Sequence, residues 1–188
     1  MTLLSNSQLK KMGFLSIGEN VMISERASFH NCKNISIGNN VRIDDFSVLS
    51  AGEGGIIVGN HVHIAVYCSL IGAGNITLSD FCNLSSRVSI YSSSDDFSGA
   101  SMTNPTVPEE FTNVTHADVL LEKHVIVGCG SVVLPGAILE EGVAVGALTL
   151  VKSRCEAFGI YAGSPARRIR TRRRDVLAIE TMFLSSQI

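Results

Sequence analysis

Residues 121–156 fall into rows of six: LEKHVI, VGCGSV, VLPGAI, LEEGVA, VGALTL, VKSRCE. The first column is Leu121, Val127, Val133, Leu139, Val145 and Val151, all aliphatic, and the fifth is Val125, Ser131, Ala137, Val143, Thr149 and Cys155, all small or β-branched. A strict period of six excludes an amphipathic helix, whose apolar positions recur every 3.6 residues, and each interior glycine would cost a helix about 1 kcal/mol. A parallel β-helix accounts for it. Six residues make one short flat strand and a turn, three such units make a coil, and the aliphatic side chain of each strand points inward onto its equivalent about 4.8 Å away. The nearly uncharged stretch HVIVGCGSVVLPGAIL, residues 124–139, is then strand and corner of two successive coil faces. It carries Gly128, Gly130, Pro135 and Gly136 and is followed by Glu140 and Glu141, so it falls short of the ~20 apolar residues that a spanning helix needs.

The N-terminal half repeats with a longer super-period. IGENVMI begins at Ile17, IGNNVRI at Ile37, VGNHVHI at Val58 and LSDFCNL at Leu78, and an inward column continues through Ile23, Ile43, Ile64 and Leu84. The repeat is lost after Ile90 and resumes at Val119 or Leu121, so 91–118 is an inserted polar loop within a solenoid spanning 15–160. Residues 1–14 read as a short helical cap, with Ser5 and Gln8 forming a capping box and the helix ending at Gly13. Residues 161–188 read as a basic tail and a helix with Val176, Ile179 and Phe183 at helical spacing, packed on the coil end.

A net charge of −2 argues against a dedicated nucleic-acid binder, but eight of the fifteen Lys and Arg lie between Lys152 and Arg174. That cluster suits phosphate. The five cysteines show no CxxC spacing, so neither a disulfide framework nor a zinc knuckle is expected. With no apolar leader in MTLLSNSQLKKMGF, a cytoplasmic protein without membrane insertion is expected.

These repeats resemble those of the hexapeptide-repeat acyltransferases, and the order of parts resembles the galactoside and xenobiotic acetyltransferase branch. The resemblance implies an all-β fold, a left-handed parallel β-helix, although parallel crossovers in general are right-handed. It implies a homotrimer with active sites between subunits, acetyl-CoA as acyl donor, no metal, and a sugar or nucleotide-linked amino sugar of bacterial surface polysaccharide as acceptor. AGSPARRIR, residues 162–170, looks like the family's closing motif, which sets basic side chains beside the coenzyme A phosphates. Position by position, Cys129 and Ala147 fall on corners lining the pantetheine slot, Lys152 beside a coenzyme-contacting pair, and Arg167 and Arg170 on the basic positions after the proline.

Acyl transfer from a thioester needs a proton acceptor for the attacking group and N–H donors for the oxyanion, but no nucleophilic Ser or Cys. Where the family has its histidine base, near the start of the loop, this chain has Asp95. Three residues could fill the role. His63 is expected at a corner facing a neighbour's loop, with Asp95 as its carboxylate partner across the subunit interface; His116 stands where the loop re-enters the coils; Asp95, with Asp96 beside it, could act itself. His30, His61 and His124 are expected on the outer surface. The unusual base tilts the expectation toward N- rather than O-acetylation. Two rivals are a non-enzymatic scaffold, which needs neither the loop nor the arginines, and a zinc carbonic anhydrase of the same fold, which needs an HxxxxH spacing that is missing.

Overall fold

The computed structural model describes residues 2–187. From Ser16 to Ala162 the chain winds through three flat parallel sheets. The first face collects Ser16–Ile17, Ile35–Ile37, Ile56–Val58, Ile76–Leu78, Val119–Leu121 and Ile138–Leu139. The second takes Met22–Ile23, Arg42–Ile43, His63–Ile64, Asn83–Leu84, Ile126–Val127, Ala144–Val145 and Gly159–Ala162, and the third Ser28–His30, Val48–Ala51, Ser69–Gly72, Ser89–Tyr91, Val132–Val133 and Leu150–Val151. Each pass through the three faces is one coil, numbered here from the N-terminus. Residues 124–139 contribute a strand to all three faces rather than two, because sixteen residues exceed two units of six.

The core is the set of aliphatic columns. On the second face Ile23, Ile43, Ile64, Leu84, Val127 and Val145 pair in register from coil to coil, and none is more than 4 % exposed. Burying each such side chain contributes roughly 1.5–3 kcal/mol, which offsets the backbone entropy of ordering the turns around it. All six fifth-position residues from Val125 to Cys155 are buried as well. The two polar ones are satisfied: Ser131 Oγ donates to Gly146 O at 2.9 Å and accepts from the Thr149 N–H at 3.2 Å.

The corners explain the polar letters of the repeat. Asn39 Oδ1 accepts from Glu19 N, Asn60 Oδ1 from Asn39 N and Asp80 Oδ1 from Asn60 N, at 2.7–2.8 Å, so each coil's side chain closes the backbone of the coil before it. One residue further on, Asn20, Asn40, His61, Phe81 and His124 adopt left-handed backbone conformations with φ between 54 and 61°. Their side chains therefore project along one edge of the prism.

The ends are closed differently. α1 (Asn6–Lys11) has the capping box, with Gln8 Oε1 accepting from Ser5 N at 2.8 Å, and buries Leu9. At the other end Arg167–Thr171 pairs antiparallel with Gly159–Ala162 and covers the second face's last edge, as exposed sheet edges require. α2 (Asp175–Ser185) was expected on the coil end but lies on the flank, over the edge between the first and second faces at coils three to five. Phe183 meets His61 edge-on at 5.2 Å; Glu180 pairs with Lys123 at 2.5 Å and His124 at 2.8 Å. Ile179, expected on the buried stripe, is 60 % exposed. No helix among the described residues is long and apolar enough to cross a membrane.

Candidate active site

The inserted loop leaves the third face after Tyr91 and returns at Val119, and its neck is a two-rung hairpin of Ser93–Ser94 against Thr115–His116. Direct pairing of Ser93 with His116 brings the His116 Nδ1 to 2.8 Å from Ser93 Oγ. Asp95 follows immediately and is exposed. It lines a cleft of about 510 Å³ between loop and third face, together with Tyr91, Ser94, Phe97, Val132 and Leu134. Asp96 turns back on its own loop, accepting from Ser98 N at 2.8 Å, and hydrogen bonds from Ser98 and Ser101 hold its carboxyl below the ordinary range. Asp95 and His116 thus share one neighbourhood.

His63 stands apart from them in the chain, and one expectation about it is corrected. It lies within a strand of the second face, not at a corner; the left-handed corner residue is His61. Its carboxylate partner is Asp44 of the coil below, with His63 Nε2 2.9 Å from Asp44 Oδ2, while Nδ1 lies 3.1 Å from Asn83 Oδ1 in the coil above. Both ring nitrogens are committed. Asp44 also accepts from Arg42 Nε at 2.7 Å. Burial alone would raise the Asp44 carboxyl, but the hydrogen bonds from Arg42 and His63 hold it below its usual value. An ionised carboxylate only accepts, so His63 Nε2 carries a proton. Nδ1 faces Asn83 Oδ1, so neither ring nitrogen is open to a substrate proton.

His124, expected on the surface, is 7 % exposed. Phe81 stacks on its ring at 5.1 Å, His61 stacks on Phe81 at 5.0 Å, and α2 closes over the three. Hydrogen bonds from Lys123 and His124 hold the Glu180 carboxyl below its ordinary value.

On the later coils, Cys129 and Ala147 occupy successive exposed rungs of the corner between the second and third faces, where Leu148 N donates to Cys129 O at 2.9 Å. Gly128 and Gly146 flank them and let the rungs approach: a Cβ on Gly128 would stand 2.5 Å from Ala147 N. Lys152 and Arg167 border one recess beside Pro165, but Arg170 lines a separate groove with Ile160 and Arg172. Half-buried Ser85 was overlooked. It holds the same corner one coil below Gly128, its N–H donating to Val127 O at 2.9 Å, and nothing in the six-residue pattern sets it apart from other corner serines. Asn83 was legible in principle, since Arg42, His63 and Asn83 recur at 21 and 20 residues.

Burial pushes the thiols of Cys68 and Cys155 up to about 11 and that of Cys82 to about 12, which leaves them unreactive. Among the described residues no three His, Cys, Asp or Glu gather as a metal site needs.

No family model matches the chain. It is 57 % identical over 188 residues, all of this chain and 98 % of the relative, to the dTDP-4-amino-4,6-dideoxy-D-glucose acyltransferase of Escherichia coli. The chain belongs to this family of dTDP-amino-sugar acyltransferases. A solved relative in structure is AntD, an N-acyltransferase from Bacillus cereus in complex with dTDP and coenzyme A, here as an aspartate-to-asparagine variant. It is 45 % identical with a TM-score of 0.95, covering 99 % of this chain and 100 % of that one. A maltose O-acetyltransferase from Clostridium difficile, 18 % identical with a TM-score of 0.60 over 91 % of this chain and 79 % of its own, shares the fold. The acyltransferase family thus sits on the hexapeptide-repeat prism expected from the repeats, and the scaffold reading is set aside.

Proposed function

We propose that the protein transfers an acetyl group from acetyl-CoA to the amino group of dTDP-4-amino-4,6-dideoxyglucose, for bacterial surface polysaccharide. The observation that carries this is the 57 % identity along the whole chain to an enzyme of that name. AntD structures with dTDP-4-amino-4,6-dideoxyglucose and coenzyme A support it. The amine lone pair attacks the thioester carbonyl; the C–N bond forms, the C–S bond breaks, and the coenzyme thiolate takes up a proton. Asp95 is the group that accepts the amine's proton, because it opens on the cleft while both His63 nitrogens are engaged. The solved AntD forms replace one of its aspartates by Asn or Ala and one of its serines by Ala, Cys or Thr, which agrees with an Asp and a Ser at such a centre. His116 orients the loop neck through Ser93. His63 is kept as a contact to the acceptor through its partly exposed ring.

For the donor, the corner rungs of Cys129 and Ala147 hold pantetheine and offer N–H donors to the oxyanion, with Lys152 and Arg167 at the phosphates and Arg170 further along the basic strand. The assembly is a homotrimer in which the loop reaches a neighbouring subunit; the 93 % exposure of Phe97 on the loop supports a partner surface there. Five free cysteines and an acyl-CoA donor support a cytoplasmic location.

The test is thiol release from acetyl-CoA with dTDP-4-amino-4,6-dideoxyglucose, run beside the same sugar nucleotide bearing a 4-hydroxyl and beside 3-hydroxybutyryl-CoA, the acyl-CoA seen with AntD. Turnover only with the amine and faster with acetyl-CoA is expected. Turnover only with 3-hydroxybutyryl-CoA would replace the donor, and none with either would remove the reading.

A further inference from the structure

Six of the ten arginines crowd into residues 167–174, on the closing strand Arg167–Thr171 and the link to α2. Elsewhere an outward arginine has company: Arg42 meets Asp44, Arg154 meets Glu140, and Arg26 and Arg87 lie 5.6 Å over the rings of Phe46 and Tyr67, which stack in a ladder at 5.0 Å. On the closing strand only Arg168 has a carboxylate partner among the described residues, Glu156 at 3.5 Å. All five residues of this strand are exposed, and its pairing with Gly159–Ala162 shifts register between Ile160 and Tyr161. Like charges on an irregular edge strand repel one another, so the strand frays unless its ends are tied.

The coil itself ties one end, with Ala166 N donating to Leu150 O at 2.8 Å. Arg172 ties the other. Its backbone N–H donates to Phe158 O at 2.7 Å, and its Nη1 donates to His124 O at 2.8 Å and Gly142 O at 3.0 Å. Further along the chain Glu180 of α2 grips the same histidine by its ring, meeting His124 Nε2 at 2.8 Å and Lys123 Nζ at 2.5 Å, while Phe183 packs edge-on against His61 and Phe81. His124 is thus held twice, by its carbonyl and by its ring, from the two ends of one short segment. Because α2 leaves Ile179 and Met182 exposed, its docking depends on these few contacts.

We propose that α2 is a latch for the donor site: Glu180 and Phe183, docked on the flank, hold the chain at Arg172 and so keep Arg167 and Arg170 on the coenzyme A phosphates. The inference rests on the acyltransferase reading and on those two arginines meeting the donor. Glu180 and Phe183 are positioning residues that act through Arg172 and touch neither substrate. Undocking would let water compete for the Arg172 guanidinium, weaken its bonds to the two carbonyls and free the charged strand. The coenzyme would then have to order the arginines itself, at a cost in affinity.

Thiol release with dTDP-4-amino-4,6-dideoxyglucose is measured with two donors, acetyl-CoA and acetyl-pantetheine, which carries no phosphate. Arg167→Ala sets the scale, raising KM for acetyl-CoA alone. Glu180→Ala and Phe183→Ala are each expected to raise KM for acetyl-CoA about threefold or more at unchanged kcat, with KM for acetyl-pantetheine within about 1.5-fold of wild type. Leu9→Ala, which opens a cavity at the opposite end of the prism, should affect both donors alike. Equal changes for both donors in Glu180→Ala and Phe183→Ala, or none, would overturn the latch. If wild type uses the two donors at one KM, the arginines read no phosphate and the latch falls while the acyltransferase reading stands. Turnover with neither donor would mean that the acyltransferase reading itself has failed.

Discussion

Replacing Gly128 by Ala tests whether close coil stacking at the second corner shapes the donor slot. A Cβ there would stand 2.5 Å from Ala147 N and 2.7 Å from Gly146 C, about 0.9 Å inside the closest ordinary contact. Both opposing atoms are backbone, so no side chain can rotate away, and coils five and six must part. Overpacking of this kind costs about 1–3 kcal/mol, a melting shift of roughly 2–12 °C for a chain of this size. The parted rungs are those of Cys129 and Ala147, so coenzyme A affinity should fall by about fivefold or more. Gly13→Ala is the comparison: at φ +73° with nothing within 4 Å of the new Cβ, it carries only the left-handed backbone cost of about 1–2 kcal/mol, far from the slot. Denaturant midpoints at one fixed protomer concentration and calorimetry with coenzyme A supply both numbers. If Gly128→Ala stays within about 0.5 kcal/mol of wild type and binds coenzyme A normally, the reasoning about this corner is wrong.

Asp95→Asn is expected to lower the acyl-transfer rate at least about 100-fold with little change in melting, since the side chain is exposed; equal loss in stability would point to a structural role. Arg167→Ala should raise the dissociation constant for coenzyme A severalfold and leave dTDP binding alone, which calorimetry would read. Glu180→Ala removes the acceptor of the buried His124 and should cost about 1–3 kcal/mol in denaturant melts. The Glu180 carboxyl is held below its ordinary 4.5, so its contribution is present above that pH and is lost as pH falls below it. Wild type should therefore lose part of its advantage over Glu180→Ala in acid; a pH-independent difference would refute the charge contribution.

The prism was legible because each face of six residues buries its own side chain. Val127 needs only Leu84 below and Val145 above, and such a requirement repeats in the chain as a period. The loop was legible for the opposite reason: from Tyr91 to Ala117 no inward column exists to interrupt. Asp95 and His116 stood out as the loop's two ends, and the hairpin neck brings those ends together. The misplaced residues are those whose environment comes from elsewhere. For His63, coil stacking sets Asp44, nineteen positions earlier, at Nε2, a contact that no count of the repeat names. His124 occupies an outward corner in every repeat-based count, yet Glu180 arrives from 56 positions away to pair with its Nε2 while Phe81 stacks on its ring.

The amino-acid order alone determined the period, the inward columns, the small corner residues and the basic closing motif, because each answers to its immediate neighbours in a stack. Only the tertiary structure decided which outward side chains meet: the Asp44–His63–Asn83 row, the Arg26–Phe46–Tyr67–Arg87 ladder and the helix over His124. Outward positions carry no packing requirement that a period must satisfy, so their company is set by the winding of the coils and by where the last helix comes to rest.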